Sequence, residues 1–496
     1  MTLARRFIQS GLWATGGNAV ATALAIVRSI ALARMLPIEV FGIYAFSGAV
    51  TGLTAVLAAY GLSDALIHRA EETRDAERAA ATHFTLTLLF AVIWTVALLS
   101  FAFTFYDGQM LTALVVMTGT QAGMQLCGTP SSLLKREVNH RPLALLWMTS
   151  TALSTLIAIV LASTGQGLWA LLAVDVVVTV MSLVILFRWG PRWRPRLLWD
   201  RPAVRYFLRF GSRNVVGRLI EEALQRIDKL WTGAVVGHQG LGLYSRASVY
   251  SRAPSQIVGR PLALVITGVY AELAGDRPRL SHAVARVTEL LLHGSAALGV
   301  MVAVIAPDLI AWLIGEKWLG MVDTFRILIV ASVPLLIART LSQLLLAVGQ
   351  PGKVMRVGFV RLLVLAASLV TMGYAFGIEG VAASVLTSSI VGLFLLMRCA
   401  ADHVDLSAGR LLGPAFAAIA AGLLGAAVVA WSWPADASTW QRVLTQMLSS
   451  GGAYLVVLLM LRGRQLQADL NFILRHSRKQ PGSPSSDGGA GDSSGS

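Results

Sequence analysis

Charge is what this sequence has least of. Only 14% of its 496 residues are Asp, Glu, Lys or Arg, against 55% hydrophobic, whereas a soluble chain carries about 25% charged residues. An imbalance spread over the whole length excludes a water-soluble enzyme or binding module and points to a lipid bilayer. Cysteine is scarcer still. Cys127 and Cys399 are the only two, each in or beside an apolar run, so neither a disulfide framework nor a thiolate metal site is expected. Acidic residues number 26 against 41 basic ones, for a formal net charge of +15. No G-x-x-x-x-G-K-[ST] loop occurs, which removes ATP hydrolysis from this chain. The expectation is a non-enzyme: no catalytic residue, no metal and no cofactor.

What is present is a succession of apolar runs, each near the roughly 20 residues that a helix needs to cross a bilayer. Candidate spans lie near 9–35, 40–67, 83–105, 110–133, 143–163, 166–187, 207–236, 241–268, 285–314, 322–347, 354–375, 378–397, 411–431 and 446–461. The expected fold class is therefore all-α, a polytopic membrane protein with about fourteen transmembrane helices. Met1-Thr-Leu-Ala-Arg-Arg6 runs into the first span without an A-x-A site, so 9–35 reads as a retained span and not a signal peptide. Basic residues alternate from loop to loop. One set of loops holds 27 of them, including Arg188, Arg192, Arg194, Arg196, Arg201, Arg205 and Arg209 in one connection; the other set holds two, Lys317 and Arg442. By the positive-inside rule both termini are cytoplasmic. Most of the excess charge is thus topological, and no nucleic acid is expected as a partner. Residues 480–496 are Ser-, Gly- and Asp-rich and are expected to be disordered.

Sliding the chain on itself by 200 residues pairs Arg5 with Arg205, Phe7 with Phe207, Gly11 with Gly211, Gly17 with Gly217, Ala23 with Ala223, Leu24 with Leu224, Gly42 with Gly242 and Tyr44 with Tyr244. Six spans separate the copies, so they point the same way through the membrane. A parallel repeat is a transporter signature with the cargo between its halves; a coincidence of Gly-, Ala- and Leu-rich helices is the competing explanation. Read as a repeat, the chain divides into an N-lobe (1–200), a C-lobe (201–400), two further spans (401–465) and a basic, then disordered, cytoplasmic tail (466–496).

Twelve basic residues remain inside spans, and seven of them fall on spans seven and eight: Arg213, Arg218, Arg226, Lys229, Arg246, Arg252 and Arg260. The other five are Arg28, Arg34, Arg326, Arg339 and Arg361. Each Arg at mid-membrane costs about 2.5–3.5 kcal/mol on the lenient insertion scale, so the cluster needs water, acidic partners or both. Arg218, Glu222, Arg226 and Lys229 share one helical face, flanked by Glu221 and Asp228, a spacing that favours ion pairs along the helix. Cations still outnumber carboxylates there. Guanidinium stays charged and grips phosphate with two parallel hydrogen bonds, so a cationic cavity suits an anionic lipid headgroup such as a pyrophosphate. Arg28, Arg218, Arg226, Arg246, Arg252 and Arg260 are the expected headgroup ligands. Asp228, Glu221, Glu222 and Asp175 are the expected gating or coupling carboxylates, with Asp175 equally readable as a hydrogen-bonded structural acid. The 200-residue offset sets Arg28 against Asp228 at equal depth, which predicts that the two meet across the pseudo-twofold axis. Arg34, Arg213 and Arg326, near span ends, are expected to pair locally or snorkel.

Six segments in order carry a resemblance: Ala31-Leu-Ala-Arg-Met-Leu-Pro-Ile-Glu-Val-Phe-Gly-Ile-Tyr44, Gly61-Leu-Ser-Asp-Ala-Leu-Ile67, Gly165-Gln-Gly-Leu-Trp-Ala-Leu171, Gly242-Leu-Tyr-Ser-Arg-Ala247, Leu313-Ile-Gly-Glu-Lys-Trp-Leu319 and Gly377-Ile-Glu-Gly-Val-Ala382. On these the chain resembles the polysaccharide-transport (Wzx-type) oligosaccharide flippases of the multidrug/oligosaccharidyl-lipid/polysaccharide (MOP) exporter superfamily. The resemblance implies a two-lobed, fourteen-helix fold with a central cleft, in a bacterial inner membrane. It further implies flipping of undecaprenyl-pyrophosphate-linked oligosaccharide units between leaflets, by alternating access. The implied partners are the lipid-linked oligosaccharide (a polyprenyl pyrophosphate), the bilayer, and a polysaccharide polymerase with its export machinery. A peptidoglycan lipid-precursor flippase and a small-molecule exporter of the same superfamily are the alternatives.

Overall fold

The computed structural model describes residues 21–68, 76–136, 141–189, 193–405, 413, 417–425, 427–428 and 439–478, and all of its regular elements are helical. The chain falls into two compact units, Met1–Leu406 and Ser407–Ser496.

In the first unit, α1 (21–35) ends before Pro37, whose ring disfavours a helical Leu36. Then come α2 (Ile38–Ala59), α3 (Leu62–His68), α4 (Ala76–Phe105), α5 (Gly108–Leu126), α6 (Gly128–Arg136), α7 (Arg141–Ser163) and α8 (Gly167–Val184). A π-helical turn, Ile185–Trp189, extends α8. Helix α9 (Arg201–Val235) starts where the Asp200 carboxylate accepts from the Ala203 N–H at 3.1 Å and Pro202 occupies the first turn, the two residue types best suited to a helix start. At about 1.5 Å per residue, its 35 residues exceed the bilayer's apolar thickness. Its partner in the hairpin is broken at Arg252 into α10 (His238–Ser251) and α11 (Ala253–Glu272). Next are α12 (Arg277–Val304), α13 (Ala306–Ile314), a 3-10 turn (Glu316–Met321), α14 (Val322–Ala347), α15 (Pro351–Ser368) and α16 (Tyr374–Ala400). The last two are joined by a π turn at Leu369–Gly373 and diverge at Gly377, with φ 57° and ψ −133°, a conformation closed to residues with a Cβ. Helices α15 and α16 pack on each other.

In the second unit, residues 417–425 form α17, and α18 runs unbroken from Thr439 to Arg478. It continues well past the 446–461 expected as a span. Residues 480–496 lie outside the described residues.

Among the described residues, eight helices are long and apolar enough to cross a membrane, and nine if the bent α5–α6 pair is one crossing. The protein is a multi-pass, all-helical membrane protein, but this criterion stops short of fourteen. Helices α9, α10 and α11 are among those that fail it: α10 is only 14 residues long, and the intramembrane cations dilute the hydropathy of α9 and α11.

One buried apolar cluster joins the two halves of the first unit: Phe41, Phe46, Leu114 and Leu172 pack into the same core as Tyr244, Trp318, Phe325 and Leu369. At its centre α2 crosses α10 backbone to backbone. A Cβ on Gly42 would lie 1.8 Å from the His238 carbonyl oxygen, and one on Gly242 would lie 2.2 Å from the Ile38 carbonyl oxygen. Residues 38 and 238, like 42 and 242, are equivalent under the 200-residue offset. The contact is therefore reciprocal, as contacts about a twofold axis are.

Candidate functional site

Helices α1, α2, α9 and α10, with α14 and α15 beside them, bring the intramembrane charges together. On α1, Arg28 donates to Ser154 Oγ of α7 at 2.7 Å and lies within electrostatic reach of Tyr44 and Asp175. Its neighbour Ser29 hydrogen-bonds the Tyr250 hydroxyl at 2.9 Å, linking α1 to α10. The Tyr44 hydroxyl donates to Asp175 at 2.8 Å. Arg246 sits 4.7 Å over the Phe41 ring, within reach of Tyr44 and Tyr250, and its buried Nε–H has no hydrogen-bond partner. Two guanidinium groups thus flank one tyrosine–aspartate pair.

A second tyrosine–aspartate pair mirrors the first. Tyr244, the residue equivalent to Tyr44, donates to the buried Asp228 carboxylate at 2.6 Å, and the Lys229 N–H donates to the same carboxylate at 2.9 Å. The predicted Arg28–Asp228 contact does not form. Arg28 turns to Ser154 and Asp228 to Tyr244, because each finds a hydroxyl donor or acceptor among its near neighbours.

Of the other predicted ligands, Arg226 forms the expected ion pair with Glu222 and also donates to the Gly48 carbonyl at 2.7 Å. Gly52 makes room for it: a Cβ there would lie 2.1 Å from the Arg226 Cζ. Arg218 is instead ion-paired to Asp64 of α3, on an exposed rim. Arg252 donates weakly to Ser248 Oγ at 3.3 Å. The Arg260 side chain lies outside the described residues. Arg34 donates to carbonyls, and Arg326 pairs with Asp323 and the Ala303 carbonyl, the local satisfaction expected of span ends; the Arg213 side chain also lies outside the described residues.

Sequence reasoning left Arg339 and Arg361 out of the site, and the structure draws them toward it. Arg339 on α14 is within electrostatic reach of Arg252 and Glu221, and Arg361 on α15 of Arg339. The packing shows why. Leu336, one turn before Arg339, fills the gap over Gly259 of α11, and Ile220 lies against Gly358, one turn before Arg361. Among the described residues, neither guanidinium group has a side-chain hydrogen bond or ion pair, and the buried Arg361 Nε–H is unpartnered. Lys229 extends the chain of charge, within reach of the Asp228 carboxylate and of Arg252, Arg226 and Arg246. A signal was available in one dimension: a lone Arg in an apolar helix is costly enough to mark a site by itself.

No group of His, Cys, Asp and Glu able to hold a metal occurs among the described residues. The arrangement can neutralise an anion and orient it by hydrogen bonds; it offers no nucleophile poised beside a base.

Residues 31–323 match the sequence profile of a family described as "Polysaccharide biosynthesis protein". The chain is 26% identical over 291 residues to the succinoglycan biosynthesis transport protein ExoT of Rhizobium meliloti (strain 1021), an alignment that covers 58% of either chain; it thus spans little more than half the length of that relative. Among solved structures, the lipid II flippase MurJ in an inward closed conformation superposes with a TM-score of 0.73 at 12% identity, covering 92% of this chain and 99% of MurJ. An inward-facing multidrug resistance MATE transporter of the MOP superfamily gives 0.58 at 18% identity, over 77% and 95%. At these identities the likeness is one of fold.

Proposed function

Since the chain belongs to the polysaccharide biosynthesis protein family, we propose that it flips undecaprenyl-pyrophosphate-linked oligosaccharide units from the cytoplasmic to the periplasmic leaflet of a bacterial inner membrane, with both termini cytoplasmic. The observation that supports this reading is the series Arg252, Arg339 and Arg361, which makes no direct ion pair among the described residues, with Glu221 the one carboxylate within electrostatic reach of Arg339. Cations that outnumber the carboxylates around them within a membrane are costly unless a mobile anion completes them. A pyrophosphate does so, and guanidinium matches its oxygens two at a time.

Movement is by alternating access, lobe 1–200 rocking against lobe 201–400, while the polyprenyl chain stays in lipid. Asp175 and Asp228, each held by a tyrosine hydroxyl, are the candidates for coupling to an ion gradient, with Glu221 and Glu222 beside the cations. The flipped unit then passes to a polysaccharide polymerase.

The test is gene deletion followed by complementation. Viable cells that lose surface polysaccharide and accumulate a cytoplasmic-leaflet polyprenyl-linked oligosaccharide support the reading; lysis and accumulated peptidoglycan precursor would instead make it a carrier of that precursor, whose phosphates the same cations would meet. Arg339→Gln and Arg361→Gln should each lower export about tenfold at normal protein level, the effect of losing about 1.4 kcal/mol of charge-assisted binding. Full export by both variants removes the cationic cleft from the argument.

A further inference from the structure

The last turn of any α-helix leaves carbonyl groups without intrahelical partners. At the end of α1 these groups are taken by donors from the far turn between α13 and α14. The Trp318 indole N–H donates to the Ala33 carbonyl at 3.0 Å, and Lys317 Nζ donates to the carbonyls of Arg34 and Leu36 at 3.0 and 2.7 Å. The favour is returned: Arg34 donates through Nε to the Leu313 carbonyl at 2.8 Å and through its terminal nitrogen to the Trp312 carbonyl, both in the last turn of α13. Each helix end, the negative pole of its dipole, is thus capped by a cation carried by the other segment. The partners are between 278 and 285 residues apart in sequence. They sit on the face of the cation-poor turns, next to the Gly42–Gly242 crossing.

We propose that this double cap is a releasable latch that holds the cleft shut on the cation-poor face, with Arg34, Lys317 and Trp318 as positioning residues that set the balance between closed and open states. The inference rests on the alternating-access reading above. All five bonds join α1 to the α13–α14 segment, so all break together when the two part. Arg34 and Lys317 are exposed, so water replaces their partners on opening and no charge is stranded. The latch also has a line to the cleft. Trp318, fully buried, packs edge-on against Phe41 at 5.4 Å, and the Arg246 guanidinium lies over that same Phe41 ring at 4.7 Å. An anion that draws Arg246 away unloads the ring on which Trp318 rests.

The test uses the full chain with Cys127 and Cys399 replaced by Ser and a reporter Ser29→Cys, whose position lies between α1 and α10. Its labelling by a membrane-impermeant maleimide is timed from outside intact cells and, separately, in inverted vesicles. In Lys317→Met and Trp318→Phe, labelling from outside should rise about tenfold, the ratio that about 1.4 kcal/mol of lost closure produces, with no rise from the cytoplasmic side. Unchanged outside labelling in both variants overturns the latch, as does an equal rise from both sides, which reports general loosening. If the one-sided rise occurs but gene deletion accumulates no polyprenyl-linked oligosaccharide, the latch stands and the cargo assignment fails.

Discussion

Gly42→Ala tests the α2–α10 crossing directly. The added Cβ would lie 1.8 Å from the His238 carbonyl oxygen, inside the 3.0 Å that such contacts essentially never breach. Backbone meets backbone here, so no side chain can swing aside and α2 must retreat by more than 1 Å. Overpacking of this kind costs about 1–3 kcal/mol, offset by up to about 1 kcal/mol of better helix propensity. A net loss of about 1–2 kcal/mol follows. Gly242→Ala, whose Cβ would lie 2.2 Å from the Ile38 carbonyl oxygen, should cost a similar amount. The sharper expectation concerns the pair. Once the first alanine has parted the helices, the second meets open space, so the double variant should be little worse than the more damaging single one. A fluorescence-detected thermal midpoint in detergent, arranged as a double-mutant cycle, reads this directly. Gly119→Ala, with nothing within 4 Å of its Cβ position, is the control and should be neutral or slightly stabilising. Additive losses in the double variant, or a Gly42→Ala as benign as Gly119→Ala, would refute the reciprocal crossing.

Tyr44→Phe should reduce thermal stability by about 1–3 kcal/mol, because it strips a half-buried carboxylate of its hydroxyl donor; a Tyr44→Phe midpoint equal to wild type would show that Asp175 finds another partner. Asp402, in the turn after α16, is held below the usual carboxylate range chiefly by its 2.7 Å hydrogen bond from Lys353. A carboxyl lowered in the folded state contributes stability above its unfolded value of about 3.9 and loses it as pH falls through the folded value. Any difference in midpoint between wild type and Asp402→Asn should therefore be present at neutral pH and vanish on acidification; a difference that grows toward low pH would contradict the assignment.

Much of the fold was legible because its causes are local. Pro37 ends α1, Asp200 and Pro202 start α9, and the run of apolar residues sets each crossing. Part of the site was legible for the same reason: the Arg226–Glu222 pair is an i, i+4 contact on one helix face. The break at Arg252 was not, and neither was the division of labour among the cations. Arg218 and Asp64 are 154 residues apart, so their pairing depends on how α3 meets α9. The Arg28–Asp228 expectation failed at this step. Equal depth along two helices says nothing about azimuth, and the hydroxyls of Ser154 and Tyr244 lie on the sides to which those residues turn.

By itself, the sequence determined that this chain lives in a membrane, that it is helical, that its cations split into a loop share and a buried share, and that its two halves carry matching glycines and tyrosines. Hydropathy, helix punctuation and charge are properties of a residue and its neighbours along the chain. Only the tertiary structure decided which intramembrane cations form ion pairs and which do not, that Arg339 approaches Arg252 and Arg361 approaches Arg339, that Gly42 and Gly242 face each other's backbone, and that Lys317 caps a helix 281 residues away. Those relations are made by packing between helices, where the energy of a charge or of a missing Cβ depends on what lies opposite it and not on what lies beside it.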